Sequence, residues 1–283
     1  MKTANHFKLP DGRNLPPIGF GTFRINPGED TFNAVSKALK SGYRLIDTAE
    51  RYENEESVGK AVRASGIDRS EILITTKLFN TNRGSYDKAL RACENSLRKL
   101  DCGPIDLYLI HWPESRLRDG WEKENLETWR ALERLQEEGM VKHIGLCNYT
   151  KPYLEHLLAN ANTKPVMNQI EMHPGYWQKE TLDLCLKEDI IPEAWGTFAN
   201  GDVFKSFRLK DIATKYNRST AQICLRWLTE KGVLPLAKSV GYERILSNMQ
   251  IFDFSLSIED HKFIDEIEQV GGACMSPDDY PPV

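Results

Sequence analysis

Eight short apolar runs recur along the chain with helix-like stretches between them, and that alternation leaves few architectures open. The runs are Ile18 to Gly21, Arg44 to Ile46, Ile72 to Thr76, Leu107 to Ile110, Val141 to Leu146, Val166-Met167, Ile190-Ile191 leading towards Trp195, and Val233 to Ala237. The intervening stretches are Thr31 to Lys40, Glu55 to Ala64, Tyr86 to Leu100, Glu122 to Glu138, Tyr153 to Ala159, Lys179 to Lys187 and Thr220 to Glu230. Apolar spacing and boundaries carry these helices. Val35, Ala38 and Leu39 recur at three and four residues before Gly42, and Leu90, Cys93, Leu97 and Leu100 do so before Gly103-Pro104. Near-continuous apolar strands alternating with helices imply a parallel sheet covered by helices. An open doubly wound sheet would need a G-x-G-x-x-G turn opening a helix after an early strand. Here Gly19-Phe20-Gly21-Thr22-Phe23-Arg24 has arginine at the third glycine position, and no helix opens there. The pattern therefore predicts an α/β fold, a (β/α)8 TIM barrel.

Two segments stand outside the repeat. Phe7 to Leu15 reads as a hairpin around Asp11-Gly12, placed to plug the N-terminal end of the barrel. At the other end, Ser257-Ile258-Glu259-Asp260 starts a helix, and Gly271-Gly272 releases a tail, Gly271 to Val283, expected to close over the active site. No linker or low-complexity stretch divides the chain, so residues 1–283 read as a single domain.

Composition narrows the partners. A net charge of −4 argues against a general polyanion binder such as a nucleic-acid protein, while leaving room for a local basic pocket for one phosphate. Nowhere do about 18 consecutive apolar residues suggest a membrane span, and Met1 to Pro10 holds no apolar run of signal-peptide length. A cytoplasmic protein is expected. The six cysteines (Cys93, Cys102, Cys147, Cys185, Cys224, Cys274) are spread singly and read as free, mostly buried thiols in a reducing compartment. The six histidines form no ligand-spaced cluster, so no metal site is expected.

Three successive runs end in ionisable residues: Asp47, Lys77 and His111. As parallel strands, these would put a carboxylate, an ammonium and an imidazole at one rim of one sheet, with the phenol of Tyr52 just beyond the first. Such a gathering is a proton-transfer site.

The surrounding residues resemble a known family. Asp47-Thr48-Ala49-Glu50-Arg51-Tyr52-Glu53-Asn54-Glu55, with Val58-Gly59, closely resembles the signature of the aldo-keto reductases. So do Thr76-Lys77-Leu78, Ile110-His111-Trp112-Pro113, Ile144-Gly145-Leu146-Cys147-Asn148-Tyr149, Asn168-Gln169-Ile170-Glu171, and Lys238-Ser239-Val240 followed by Arg244 and Asn248. The match runs in order along nearly the whole chain. Through Ala194-Trp195-Gly196 the resemblance is nearest to small bacterial members such as the 2,5-diketogluconate reductases. It implies a (β/α)8 barrel, NADPH/NADP+ bound without a Rossmann domain, and reduction of small carbonyl compounds to alcohols by a monomer or weak homodimer.

Reducing a carbonyl takes a hydride at carbon and a proton at oxygen, with negative charge developing on oxygen between them. The resemblance implies Tyr52 as general acid, Lys77 lowering its pKa by favouring phenolate, Asp47 holding Lys77 charged, and His111 as a neutral donor aligning the substrate oxygen. It further implies cofactor contacts from Gly21, Thr22, Asp47, Cys147, Asn148, Gln169, Trp195, Lys238, Ser239, Val240, Arg244 and Asn248. Trp195 would stack on the nicotinamide, Asn148 and Gln169 meet its carboxamide, and Lys238, Ser239 and Arg244 surround the 2′-phosphate. Phe23, Phe79 and Trp112, with Tyr52 and His111, are the candidate substrate pocket. The chain departs from the family pattern at Cys147 for serine, Ser247 for glutamate and Ala237 for proline, which predicts weaker cofactor contacts with unchanged chemistry. Two other readings stay open: Lys77 as a Schiff-base lysine, and a cofactor-binding regulatory protein with little turnover.

Overall fold

A computed structural model describes residues 7–268 and 270–279. A two-residue ladder, β1 (Phe7–Lys8) against β2 (Asn14–Leu15), precedes eight strands that close into a parallel barrel. These are β3 (Gly19–Gly21), β4 (Leu45–Asp47), β5 (Leu73–Leu78), β6 (Ile105–Ile110), β7 (Val141–Cys147), β8 (Met167–Glu171), β9 (Ile191–Trp195) and β10 (Leu234–Ala237), with β10 pairing back onto β3 through Leu236 and Gly19. Every residue of β5 and β6 is buried, as a sheet covered on both faces requires.

The helices are α1 (Glu29–Lys40), α2 (Glu55–Ala64), α3 (Tyr86–Leu100), α4 (Trp121–Glu137), α5 (Lys151–Asn160), α6 (Lys179–Lys187), α7 (Phe207–Tyr216), α8 (Thr220–Glu230), α9 (Tyr242–Met249) and α10 (Ile258–Asp265). Two of them, α7 and α9, lie where the sequence pattern predicts no helix. Each buries few apolar side chains, Leu209, Ile212 and Ala213 in α7 and Ile245 in α9, so the apolar stripe is thin. The helix at α10 starts at its expected cap, with the Ser257 side chain accepting from the Asp260 amide.

The core has two shells. Leu45, Leu73, Leu107, Leu109, Met167, Ile191, Leu234 and Leu236 pack together inside the barrel, and Leu9 and Leu15 from the hairpin join them, so the hairpin does seal that interior. Outside the sheet, Ile46, Ile74, Tyr108, Ile144 and Leu146 meet Val35, Leu39, Val58, Cys93 and Leu132 from the helices. Gly59 lets α2 approach α3 closely, because a Cβ there would sit 1.9 Å from the Leu100 carbonyl oxygen. All six cysteines are free thiols, four of them buried. Among the described residues no helix is long and apolar enough to cross a membrane.

Candidate active site

Parallel closure brings the C-terminal ends of β4, β5 and β6 side by side, and with them Asp47, Lys77 and His111. Lys77 is fully buried; its Nζ stands 2.5 Å from Asp47 Oδ2, donates to the Thr48 carbonyl at 3.0 Å and reaches Tyr52 Oη at 3.4 Å. Burial works against the ammonium, but the Asp47 carboxylate and the Tyr52 phenol outweigh it and hold Lys77 above its ordinary pKa. Lys77 stays charged. A permanent ammonium is a poor imine-forming amine, so the geometry gives the Schiff-base reading no support.

Tyr52 departs from the sequence expectation of a lowered pKa. Burial pushes the phenol up, and the pull of Lys77 in the other direction does not overcome it. The phenol therefore keeps its proton at neutral pH, as a donor must. His111 is 8% exposed, and burial followed by the nearby charges of Lys77 and Arg51 holds its pKa well below the ordinary value. These surroundings favour the neutral imidazole. Its Nδ1 is buried without a hydrogen-bond partner among the described residues. The rings of Tyr52 and His111 stand edge to face at 5.8 Å.

The signature around Tyr52 owes much of its residue choice to local stitching. Thr48 Oγ1 donates to Asn54 Oδ1 at 2.7 Å, while Asn54 Nδ2 donates to the carbonyls of Thr22 and Ile25, binding the loop after β3 to the turn that carries Tyr52. Thr22 also donates to the Asp47 carbonyl at 2.9 Å. Thr76 Oγ1 donates to Glu55 Oε1 at 2.7 Å. Glu50 accepts from the Phe79 amide and from Asn82 Nδ2, fixing the loop that holds Phe79. Phe23 is 48% exposed with its ring 5.0 Å from that of Tyr52, and the Phe79 ring lies 6.0 Å from His111. Trp112 is buried, with its carbonyl accepting from Arg83. Phe23 presents open apolar surface beside the phenol and the half-buried Phe79 does so beside the imidazole, while the tryptophan does not.

The later strands carry the remaining candidates. Asn148, in left-handed backbone after β7, donates from Nδ2 to the His111 carbonyl at 2.9 Å and to Cys147 Sγ, while its Oδ1 accepts from Trp195 Nε1 at 2.9 Å. Gln169 Nε2 donates to Asp47 Oδ2 at 2.9 Å and to Glu193 Oε2. Both amide NH2 groups are thus spent inside the protein, and the valence left for a ligand is on their oxygens. Cys147 Sγ faces the Gln169 oxygen at 3.6 Å, so the thiol does enter the network.

Glu193 on β9 is a participant that the sequence does not announce, since it sits mid-run in an apolar strand. It is fully buried with Oε1 unpartnered among the described residues, and burial, then the Asp47 charge, push its pKa up to about 8. A neutral acid at Glu193 resolves what would otherwise be two buried carboxylates on one amide.

Beyond β10, Ser239 Oγ accepts from Arg244 Nε at 3.1 Å, and Lys238 and Val240 line a cleft of about 480 Å³ with Arg24 and Lys37. The cleft, which Asp30 also lines, does not contain Tyr52; Arg24 links it to the site, its guanidinium lying 5.1 Å from the Phe23 ring. Burial and then the charges of Arg24 and Arg244 lower the Lys238 pKa, and none of these three cations pairs with a carboxylate among the described residues. Crowded, unpaired cations are a site for an anion. Asn248 is buried in α9 and Ser247 lies beside it. In the tail, Asp278 accepts from the Arg116 amide at 3.1 Å and its side chain at 2.9 Å and from the Tyr153 hydroxyl, which ties the tail to the loop after β6. Residues 280–283 of the expected tail lie outside the described residues.

A closed eight-strand barrel carrying a buried Lys–Asp pair beneath a phenol and an imidazole at its C-terminal rim defines a class of carbonyl-reducing enzyme. The family model described as "Aldo/keto reductase family" matches residues 17–269, and the chain belongs to that family. It is similar to glyoxal reductase of Bacillus subtilis, 42% identical over 272 residues and 96% of each chain, and to methylglyoxal reductase DkgA of Escherichia coli, 37% identical over 280 residues and 98% of each. Among solved structures it superposes on a mutant of Gox0644 in complex with NADPH with a TM-score of 0.88, at 35% identity and over 99% of both chains.

Proposed function

We propose that this protein reduces small aldehydes and ketones with NADPH, with Tyr52 as the proton donor and 2-oxoaldehydes as its preferred substrates. One observation carries the reading: a neutral phenol stands 3.4 Å from a permanently charged, fully buried ammonium and beside a neutral imidazole. Bound NADPH supplies the hydride. The residues fit it: Arg24, Lys238 and Arg244 offer charge to the 2′-phosphate and pyrophosphate, the half-buried Trp195 offers a ring face, and the oxygens of Asn148 and Gln169 offer acceptors to a carboxamide.

Tyr52 and His111 aim two donors at the substrate oxygen, where charge develops. The phenolic proton passes to that oxygen, and the ammonium at 3.4 Å stabilises the phenolate left behind. Asp47 accepts from both Lys77 and Gln169 and thus fixes the ammonium in place. Phe23 and Phe79 form an apolar mouth suited to small, uncharged dicarbonyls, and both metabolic relatives named above act on such compounds by name. A diketo sugar acid is the second reading, favoured by Arg51, which is exposed, lies 5.6 Å from the Phe79 ring and holds only a long ion pair to Glu53 at 3.9 Å that a substrate carboxylate would replace. We take the chain as a single domain working in the cytoplasm, in keeping with its six free thiols.

The test follows NADPH oxidation by absorbance against methylglyoxal, phenylglyoxal, a simple aldehyde, an aldose and a diketo sugar acid, with NADH in parallel. The expected result is fastest turnover with the 2-oxoaldehydes and NADPH. Preference for the sugar acid would move the assignment to the second reading. Tight NADPH binding without turnover on any of them would replace reduction by a regulatory role.

A further inference from the structure

A second cluster lies at the same rim but outside the proton-transfer site. Glu171 ends β8, His173 follows it, and Cys274 arrives from the tail; a carboxylate oxygen, an imidazole nitrogen and a sulfur from the three all lie within 4.8 Å of one another. Sequence spacing hides this group, because its thiol comes from the far end of the chain.

His173 is fully buried, with Nδ1 at 3.0 Å from the Pro174 carbonyl. A carbonyl can only accept, so Nδ1 carries a proton, and Nε2 is the nitrogen left to face the carboxylate. That nitrogen has no hydrogen-bond partner among the described residues and points at Glu171 Oε1, 3.4 Å away. A buried carboxylate oxygen and a ring nitrogen at this separation are joined by a positive charge shared between them, a proton or a cation. A histidine whose second nitrogen donates to a carbonyl is the usual way a metal-binding imidazole is held. The carboxylate is held too: Glu171 Oε1 accepts from the Ala273 amide and Oε2 from the Cys274 amide, each at 2.7 Å. The tail backbone lies directly against the pair at Gly272, where a Cβ would come within 2.4 Å of His173 Nε2 and 2.7 Å of Glu171 Oε1, so that no side chain intrudes between them.

We propose that Glu171, His173 and Cys274 bind one divalent cation of the zinc class, with water as fourth ligand, and that this ion fastens the C-terminal tail to the barrel rim. Mixed oxygen, nitrogen and sulfur donors suit a borderline-soft tetrahedral ion. With bonds of about 2.1 Å the edge of such a tetrahedron is about 3.4 Å, the separation already present between Glu171 and His173. Binding replaces the thiol proton by a metal–sulfur bond and releases that proton to solvent, and the carboxylate and thiolate together neutralise the ion. With Asp278 latched to Arg116 and Tyr153, the tail would then be pinned at two points. This inference stands independently of the substrate reading.

The test is cobalt titration of the chelator-treated, reduced full chain, read by the thiolate-to-cobalt charge-transfer absorption in the near ultraviolet and by competition with zinc. One equivalent should develop the band, zinc should abolish it, and Cys274→Ser should remove the band and weaken binding by about 100-fold or more. Because Cys274 lies on the tail, the serine variant should retain its circular dichroism and NADPH binding. Glu171→Gln should weaken binding with the band's sulfur character intact. Hydrogen exchange at the Ala273 and Cys274 amides should slow about tenfold with zinc in the native chain and not in Cys274→Ser. A native chain that develops no charge-transfer band, or a Cys274→Ser variant that keeps it, overturns the site.

Discussion

The barrel holds a buried carboxylate against cations at each of its two ends, and the two are finished differently. At the N-terminal end Asp106, fully buried, accepts from Arg13 at 3.0 Å, Arg69 at 2.7 Å, Lys142 at 2.8 Å and the Ile74 amide at 3.1 Å. Burial raises its pKa, but those cations more than compensate, and the carboxylate is held below its ordinary value. At the C-terminal end Asp47 meets one buried ammonium, and the groups around it keep unspent valences: the Tyr52 proton, His111 Nδ1 and Glu193 Oε1. The Asp106 carboxylate is saturated, with two donors on each oxygen, and can only stabilise, although Arg13 keeps one buried nitrogen unpartnered among the described residues. The upper one is left incomplete on its open side, which is where a reacting oxygen can enter. Both are buried carboxylate–cation sites, and the difference lies in what remains unpaired.

Single substitutions should separate the two ends. Tyr52→Phe should lower kcat for carbonyl reduction by about 10²- to 10⁴-fold while leaving NADPH affinity and thermal stability close to those of the parent. Turnover near the parent rate would remove Tyr52 as the donor and the contrast with it. Asp106→Asn should do the reverse, costing about 3 kcal/mol in urea unfolding because three cations lose their carboxylate, with kcat per folded molecule unchanged. A selective loss of kcat there would show the ends to be coupled.

The pH dependence sharpens the same comparison. Glu193 ionises near 4.5 when unfolded and near 8 in the fold, so it stabilises the native state below about 4.5, and that contribution is lost as pH rises towards 8. Glu193→Gln should therefore make stability at pH 8, relative to pH 5, better than in the parent by on the order of 2–4 kcal/mol. Asp106, with its lowered pKa, has the opposite sign: its contribution is present above the ordinary carboxylate range and disappears as pH falls through it. Identical pH–stability curves for parent and Glu193→Gln would mean that Glu193 is ionised in the fold. The smallest effect is expected at Arg244→Ala, which should weaken NADPH about tenfold more than NADH, near 1.4 kcal/mol. Equal losses with both cofactors would show that the unpaired cations of the upper rim do not serve the 2′-phosphate.

Much of this was legible in the chain. Apolar runs and spacing indicated the strands, the hairpin and most helices, with α2, α3, α6 and α8 ending where the pattern ends. The ionisable residue at the end of each of three runs pointed to the site, because parallel strands must bring like ends together. What stayed hidden depends on contacts between distant segments. Nothing local distinguishes Glu193 from an exposed strand carboxylate, and nothing near Cys274 announces Glu171 and His173. The Tyr52 phenol shows the same limit: its neighbour Lys77 was legible, but the extent of burial that outweighs that neighbour was not.

The sequence by itself determined the eight-fold strand–helix alternation and the three ionisable side chains at strand ends, with Tyr52 just beyond the first, since both rest on period and order along the chain. The tertiary structure decided which valences are spent. Closing the barrel pairs Asp47 with Lys77 and Gln169, saturates Asp106, keeps His111 and Glu193 neutral and brings the tail to Glu171. Those outcomes depend on burial and on distances across the barrel, quantities that come into being only when segments far apart in sequence share one low-dielectric interior.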